Sequence, residues 1–428
     1  MSKILSMQTN PKRPDFEVVI IGGGPVGAIL GALLMRSIHG ARRRVLLLER
    51  DVGLSSVMDS RLLVDTASSL DLRVFALSRA SEQICRAAGA WESLCINPNT
   101  LNPYERMHVW SVTQSPRGAG TLTFDAAELS EANLGYIVEN SKLQIAALDA
   151  FCAAGGQVCT DELKGLRFDV QQVHIDTVIG SYSASLVVGA DGARSAVRRL
   201  AGLGVSRADY GQLAVVANIQ SAQRHEHTAW QRFLGGGTLA LLPLKSGESS
   251  IVWSLPRARA ESLLAMSAED FSRQLTIDSS GVLGELTLIS ERLSFPLRRV
   301  NALSYVRERC ALVGDAAHVV HPLAGQGVNL GLLDVATLAE CLDAAEHEDL
   351  GALRVLRSYE RWRKTENQAM SGALDILNRF LAFGSDPLGF WAQYFLGVVG
   401  RNALLRRPFV ERALGLAGEL PTIAKRAS

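Results

Sequence analysis

The chain has 428 residues, 47% hydrophobic and 20% charged, a composition that buries a large core and excludes a disordered chain. The length corresponds to two or three domain-sized units of ~150 residues. A formal net charge of +1 and an aromatic content of 6% offer neither the field nor the stacking platforms of a nucleic-acid partner.

The first residues, up to Glu17, lack the apolar run of a signal peptide and the Arg/Ser richness of a transit peptide. They read as a polar lead-in to a cytoplasmic protein. No stretch reaches the ~20 apolar residues of a spanning helix; Pro387 to Gly400 comes nearest and is closed by Asp386 and Arg401. Six cysteines occur without a C-x-x-C pair, which fits free thiols in a reducing compartment better than a zinc site or a dithiol.

Phe16 to Ile21 predicts a buried strand. Gly22-Gly23-Gly24-Pro25-Val26-Gly27 then fits G-x-G-x-x-G, with Pro25 suited to a helix first turn and Ala28 to Leu34 continuing a small, apolar helix. Glycines here let the backbone turn sharply and bring its N–H groups against a pyrophosphate at a helix N-terminus. A second strand, Arg44 to Arg50, ends in Glu49, about 20 residues past Gly27, the spacing of an acid that accepts hydrogen bonds from a ribose. An acid there disfavours a 2′-phosphate, so the motif suits FAD or NAD and does not separate them.

Ser185 to Gly202 repeats the strand–turn–helix pattern, with a turn at Asp191-Gly192, Ser195 as cap and Arg198 one turn in. A third unit runs from Cys310 to Leu342. Its strand, Cys310 to Val313, enters Gly314-Asp315; a loop passes Pro322; and Gly325-Gln326-Gly327 precedes a helix from about Asn329 to Ala345. A carboxylate at a strand end can hydrogen-bond a polyol, and a helix start offers free N–H groups and a positive dipole end.

Together, G-x-G-x-x-G, "ADGARSAVRR" and "GDAAHVVHPLAGQGVNLGLLD" resemble the three cofactor motifs of FAD-dependent aromatic hydroxylases of the p-hydroxybenzoate hydroxylase type. Asp71 to Trp91, Leu134 to Leu148, His227 to Leu244 and, less strongly, Arg406 to Gly418 are similar to ubiquinone-biosynthesis hydroxylases of the UbiH/VisC group. The segment after Asp51 has no counterpart in that pattern.

The resemblance implies that Gly22, Gly24, Gly27 and Glu49 hold the ADP half of FAD, with Arg50 either flanking the adenosine or an ordinary surface residue. Arg73 matches a cofactor-proximal arginine, its alternative being a surface ion pair with Asp71. Asn140 falls where the family contacts FAD, or else caps a turn or helix. Asp191 and Gly192 belong to the motif that supports FAD and the approach of NAD(P)H, and Asp315 to the one that bonds the ribitol. Gly325, Gln326, Gly327 and Asn329 would present polar groups to the isoalloxazine. Val320 to Pro322 should wall the reacting face, with His321 and Pro322 the candidate catalytic positions. His318 and His321, spaced i, i+3, lack a third ligand, so no metal is expected; His225 and His227 read as polar residues at a strand entrance.

The expected architecture is α/β: a discontinuous, doubly wound FAD-binding domain (16–90, 133–203 and 300–350), a mostly antiparallel β-sheet substrate domain (91–132 and 204–299) and a C-terminal helical region (351–428). There is no second strand–G-x-G-x-x-G–helix unit, which suits NAD(P)H as a transient reductant. By resemblance, reduced flavin traps O2 as a C4a-hydroperoxide and hydroxylates the ring of a polyprenylated phenol, while the protein orients the cofactor and excludes water. Such a substrate needs access to a membrane or a carrier. Arg401, Arg406, Arg407 and Arg412 lie in an apolar C-terminal setting that would suit peripheral contact with the inner membrane or a ubiquinone-biosynthesis complex, or simply pack on the core. The alternatives are a flavin monooxygenase of a soluble aromatic and a non-catalytic flavin-fold scaffold; a halogenase is disfavoured because no W-x-W-x-I-P string occurs.

Overall fold

Val18, Val19 and Ile20 are apolar on both strand faces, and both faces are covered, as in the middle of a parallel sheet. The strand Phe16–Ile21 lies between Val45–Glu49 and Ser181–Gly189 and runs parallel to each, Ile21 standing level with Leu48 on one side and Gly189 on the other. Cys310–Leu312 extends the parallel set beyond Ser181–Gly189, and Gln157–Thr160 extends it beyond Val45–Glu49. The chain therefore leaves the central strand toward both edges. This switch point opens a crevice at the strands' carboxyl ends, where doubly wound sheets bind ligands. The computed structural model describes residues 13–37, 43–50, 71–112, 114–118, 121–244, 247–320, 326–345, 347–382 and 418–425.

Helices cover this sheet. Pro25–Met35 follows the first glycine loop with Pro25 at its first position, and Gly31 makes room there for the ring of Phe151 from the helix Asn140–Ala153. The helix Gln326–Ala344 begins three residues before the expected Asn329, and Leu353–Ala382 packs alongside it. No helix among the described residues is long and apolar enough to cross a membrane.

The middle region forms a second, nine-stranded sheet that includes Arg106–Ser111, Leu122–Asp125, Val205–Ser221, Thr228–Leu234, Gly237–Pro243, Glu248–Pro256 and Leu293–Ala302. It is antiparallel except where Thr228–Leu234 runs beside Arg106–Ser111. Alternation sorts its side chains. Val215, Trp230, Leu241 and Trp253 join Phe271 and Leu275 in a core beneath the helices Arg257–Leu264 and Ala268–Asp278. Phe233, on the other face, packs on Val320 and Leu330 from the third cofactor-like motif. A small antiparallel sheet of Val74–Ser78, Gly135–Glu139 and Leu101–Tyr104 stands beside the two.

Candidate active site

The first glycine loop is held by close backbone approach. Gly22 has φ +112°, and a Cβ there would lie 2.4 Å from the carbonyl oxygen of Ala190. A Cβ on Gly27 would come within 2.0 Å of the Gly22 oxygen, whereas one on Gly24 would meet nothing within 4 Å. Two glycines therefore serve the packing of the turn, and the third leaves the cleft open. Glu49 accepts the Gly23 N–H at 2.5 Å, and Gln144, one turn beyond Asn140, donates to the Gly23 carbonyl at 2.9 Å. Asn140 opens its helix and gives its backbone N–H to the Arg73 carbonyl.

The second turn meets the first through Ala190, which donates to the Ile21 carbonyl. Asp191 accepts the N–H groups of Ala196 and Val197 at 2.6 and 3.1 Å. The Asp191 carboxylate thus caps the Ala196–Leu200 helix, while Gly192, at φ +74°, borders open space. Ser195 accepts from Arg198 N as a capping residue should. The Arg198 guanidinium is buried and donates to the carbonyls of Ala316 and Ala193. Burial lowers its pKa, with the nearby charge of Arg207 acting the same way.

The third turn places Gly314 at φ +57° against Val26 of the first motif. Asp315 is open to water in the cleft, yet protein surrounds it closely enough that burial raises its carboxyl above the usual range, against the pull of His318 and Arg73. Arg73 is therefore electrostatically coupled to Asp315, and its backbone N–H, not its guanidinium, bonds Asp71. Asp71 instead ties the strand to the Asn140 helix through Ser141 N. Arg50 is exposed and its charge falls on Glu162.

Asn329 departs from expectation. Its Oδ1 accepts from Ser78 N at 3.0 Å and from the Ser81 hydroxyl at 2.6 Å, and its Nδ2 donates to Ala76 O at 2.8 Å. A buried amide must satisfy its donors and acceptors, and here the neighbouring strand and helix satisfy them, so the side chain turns away from the cleft. Gly327 borders open space. His321, Pro322 and Gly325, the side chain of Gln326, the segment after Asp51 and the C-terminal arginines lie outside the described residues. His225 is buried, with Nε2 on the Leu244 carbonyl.

The three turns thus share one cleft: Gly22 abuts Ala190, Val26 abuts Gly314, and Arg198 reaches Ala316. Its chemistry fits FAD. Gly24 leaves room for a pyrophosphate at a helix N-terminus, Glu49 stands where an acid meets a ribose, and Asp315 offers a carboxylate to a polyol. Opposite lies the sheet face of Phe233. On this face, alternate residues of Ala214–Asn218, Ser250–Ser254, Thr238–Leu242 and Ala229–Phe233 carry no ionisable group.

Comparison with known proteins agrees. Residues 166–372 match the family described as FAD binding domain. The chain is 34% identical to the 3-demethoxyubiquinol 3-hydroxylase of Escherichia coli, over 94% of this chain and 98% of that one. It is 33% identical to the mitochondrial ubiquinone biosynthesis monooxygenase COQ6 of Homo sapiens, over 94% of this chain and 92% of that one. The chain belongs to the ubiquinone-biosynthesis hydroxylases. Members of this family are FAD-dependent monooxygenases, and FAD is the cofactor of this one. Among solved structures, PqsL of Pseudomonas aeruginosa, described as a probable FAD-dependent monooxygenase, shares the fold. Its TM-score is 0.70 at 24% identity, covering 86% of this chain and 96% of that one. The p-nitrophenol 4-monooxygenase PnpA of Pseudomonas putida does so at 0.71 and 18%, covering 94% and 98%.

Three residues of this hydroxylase escaped the reading of its sequence. Gln144 sits at i+4 from Asn140, and that shared helix face was the available signal. Arg198 stood within a motif but no role followed from spacing. Asp334, buried behind Gly314, closes the third motif, but no role followed from its spacing.

Proposed function

We propose that this hydroxylase inserts oxygen into the aromatic ring of a polyprenylated phenol, a ubiquinone precursor, with NAD(P)H as a visiting reductant. The observation that carries the reading is the stretch of sheet beside Val320, where the alternate residues of the four strands around Phe233 carry no ionisable group. A small soluble phenol bearing a carboxylate would require a cationic partner at the ring, because an isolated buried charge is costly. A neutral ring with an apolar tail requires only contact area, at about 25 cal/mol per Å². The names of the two relatives point to the same substrate class.

In this reading Gly22, Gly24 and Gly27 shape the pyrophosphate site, and Glu49 and Asp315 accept from the two polyol ends. Arg73, with His318, favours the ionised form of Asp315 against its burial. Gln144 braces the first loop, Asn140 ties the same helix to Arg73, and Asp191 and Gly192 hold the second. Bound FAD, once reduced by NAD(P)H, supplies the activated oxygen from O2. The described side chains then act by orienting cofactor and ring and by excluding water with the Phe233, Val320 and Leu330 cluster. The discontinuous division into 16–90, 133–203 and 300–350 against 91–132 and 204–299, with 351–428 as a helical region, remains part of this proposal. So do contact of the C-terminal region with a membrane surface or a biosynthetic complex, and a cytoplasmic location.

The test is incubation of the FAD-loaded protein with NAD(P)H, O2 and a short-chain prenylated phenol. Mass spectrometry should find one added ring oxygen. NAD(P)H oxidation that yields only peroxide with every prenylated phenol tried, but hydroxylates a soluble phenol, would instead establish the soluble-substrate enzyme. A protein that never takes up FAD would be the scaffold.

A further inference from the structure

Four donors converge on one carboxylate behind the Gly314–Asp315 turn. Asp334, on the helix Gln326–Ala344, is 0% exposed. Its Oδ2 accepts from Gly314 N at 3.0 Å and from His318 Nε2 at 2.5 Å. Its Oδ1 accepts from Arg363 Nε and Asn367 Nδ2, both at 2.9 Å. A carboxylate has about four acceptor sites, so this one is saturated. An ionised carboxylate can only accept, which fixes the His318 proton on Nε2. Gly314 and His318 bracket Asp315 in the chain, so Asp334 grips the Asp315 segment from both ends.

The same helix closes the grip sterically. A Cβ on Gly331, one turn before Asp334, would lie 3.3 Å from the Gly314 Cα and 2.9 Å from Val26. Arg363 and Asn367 are successive turns of the helix Leu353–Ala382 and bond one another at 2.8 Å. Met370, farther along that helix, packs with Val320 and Phe233. Tyr305 stacks on His318 with ring centroids 5.8 Å apart. The long helix thus reaches both the turn that carries Asp315 and the apolar wall.

We propose that Asp334 is a positioning residue for the flavin: it aims the Asp315 carboxylate into the cleft by clamping Gly314 and His318 to the helix that carries Arg363 and Asn367, without itself touching the cofactor. This rests on the reading that Asp315 meets the flavin's ribityl chain. Asn cannot replace the clamp, because an amide has one acceptor oxygen, and its NH2 would face two of the four donors.

The experiment uses the full chain, stripped of FAD and titrated with it by flavin fluorescence, alongside the visible absorption of the bound flavin and the Tm of the apoprotein. Asp334→Asn should weaken FAD binding at least tenfold and shift the flavin absorption bands. Should that variant not fold, a His318 pair decides. His318→Gln, which keeps a donor toward Asp334, should bind FAD within about threefold of the parent, and His318→Leu should lose at least tenfold. The proposal is overturned if folded Asp334→Asn keeps the parent's affinity and spectrum, or if His318→Gln and His318→Leu behave alike. Asp315→Asn separates the two readings. If it leaves FAD affinity unchanged, the assignment of Asp315 to the ribityl chain fails; if it weakens FAD while Asp334→Asn does not, only the clamp fails.

Discussion

The Arg198 guanidinium donates to the Ala316 carbonyl at 2.6 Å across 118 residues of chain. With its second bond to Ala193 O, it joins the Asp191 turn to the Asp315 turn through one buried cation. Replacing Arg198 by Met keeps the apolar stem but leaves both carbonyls unpaired, at about 2–4 kcal/mol. A urea-unfolding midpoint equal to the parent's would refute this bracing role.

Gly24 and Gly27 should respond oppositely to alanine. A Cβ on Gly27 would lie 2.0 Å from the Gly22 oxygen, an overlap that costs at least about 1–3 kcal/mol and should lower the apoprotein Tm. Gly24→Ala meets no protein atom within 4 Å. It should fold as the parent does and lose affinity for FAD by about tenfold or more, roughly 1.4 kcal/mol. Equal Tm losses for both variants would contradict the division of labour in the loop.

Asp315 should trade stability for binding. Its carboxyl is raised above the ordinary 3.8 by burial, so the folded apoprotein binds a proton more readily than the unfolded chain. Its contribution is complete below pH 3.8 and is lost as pH rises through the elevated value. Asp315→Asn removes that cost. The apoprotein should have a higher Tm than the parent at neutral pH while its FAD affinity falls. An unchanged or lower Tm at neutral pH, with a normal fold by circular dichroism, would count against this account.

Asp334 should behave in the opposite sense. Burial works against its ionisation, but His318, by charge and hydrogen bond, with Arg363 and Asn367, holds it down to about 2. Its stabilisation is present above 3.8 and lost as pH falls toward 2, a span of about 2 kcal/mol. The parent should therefore lose more stability between about pH 5 and pH 3 than Asp334→Asn does. Parallel acid profiles for the two would show that the group is not ionised in the fold.

The uncharged wall should be intolerant of charge. Val252 lies on the face of Phe233, level with Ala240 and Val216, and is partly exposed. Val252→Glu should raise KM for a prenylated phenol by about tenfold or more, because a carboxylate beside an apolar tail must be desolvated. FAD affinity and NAD(P)H oxidation without substrate should stay as in the parent. A KM that falls for cationic phenols only would place the tail elsewhere.

Much of the site is legible in the sequence. Glycine runs after apolar strands, Pro25 at a helix start and Ser195 as a cap are local signals, because each depends on the φ, ψ and hydrogen bonds of a few neighbouring residues. The mostly antiparallel sheet of the middle region was readable for the same reason: alternation is local. Asn329 was not readable in this way. Its position in a glycine-rich helix start suggested a cleft-facing amide, but the strand that supplies its partners lies some 250 residues earlier.

The amino-acid order alone therefore determined where the backbone could bend and which strands could be covered on both faces, and its resemblance to a known family assigned three such bends to one cofactor. Only the tertiary structure decided how each polar side chain is used. Asp191 caps a helix, Asp334 saturates itself on four donors, and Asp315 is the most exposed of the three. The three carboxylates are chemically identical, and what separates them is the set of donors that folding brings within hydrogen-bond range.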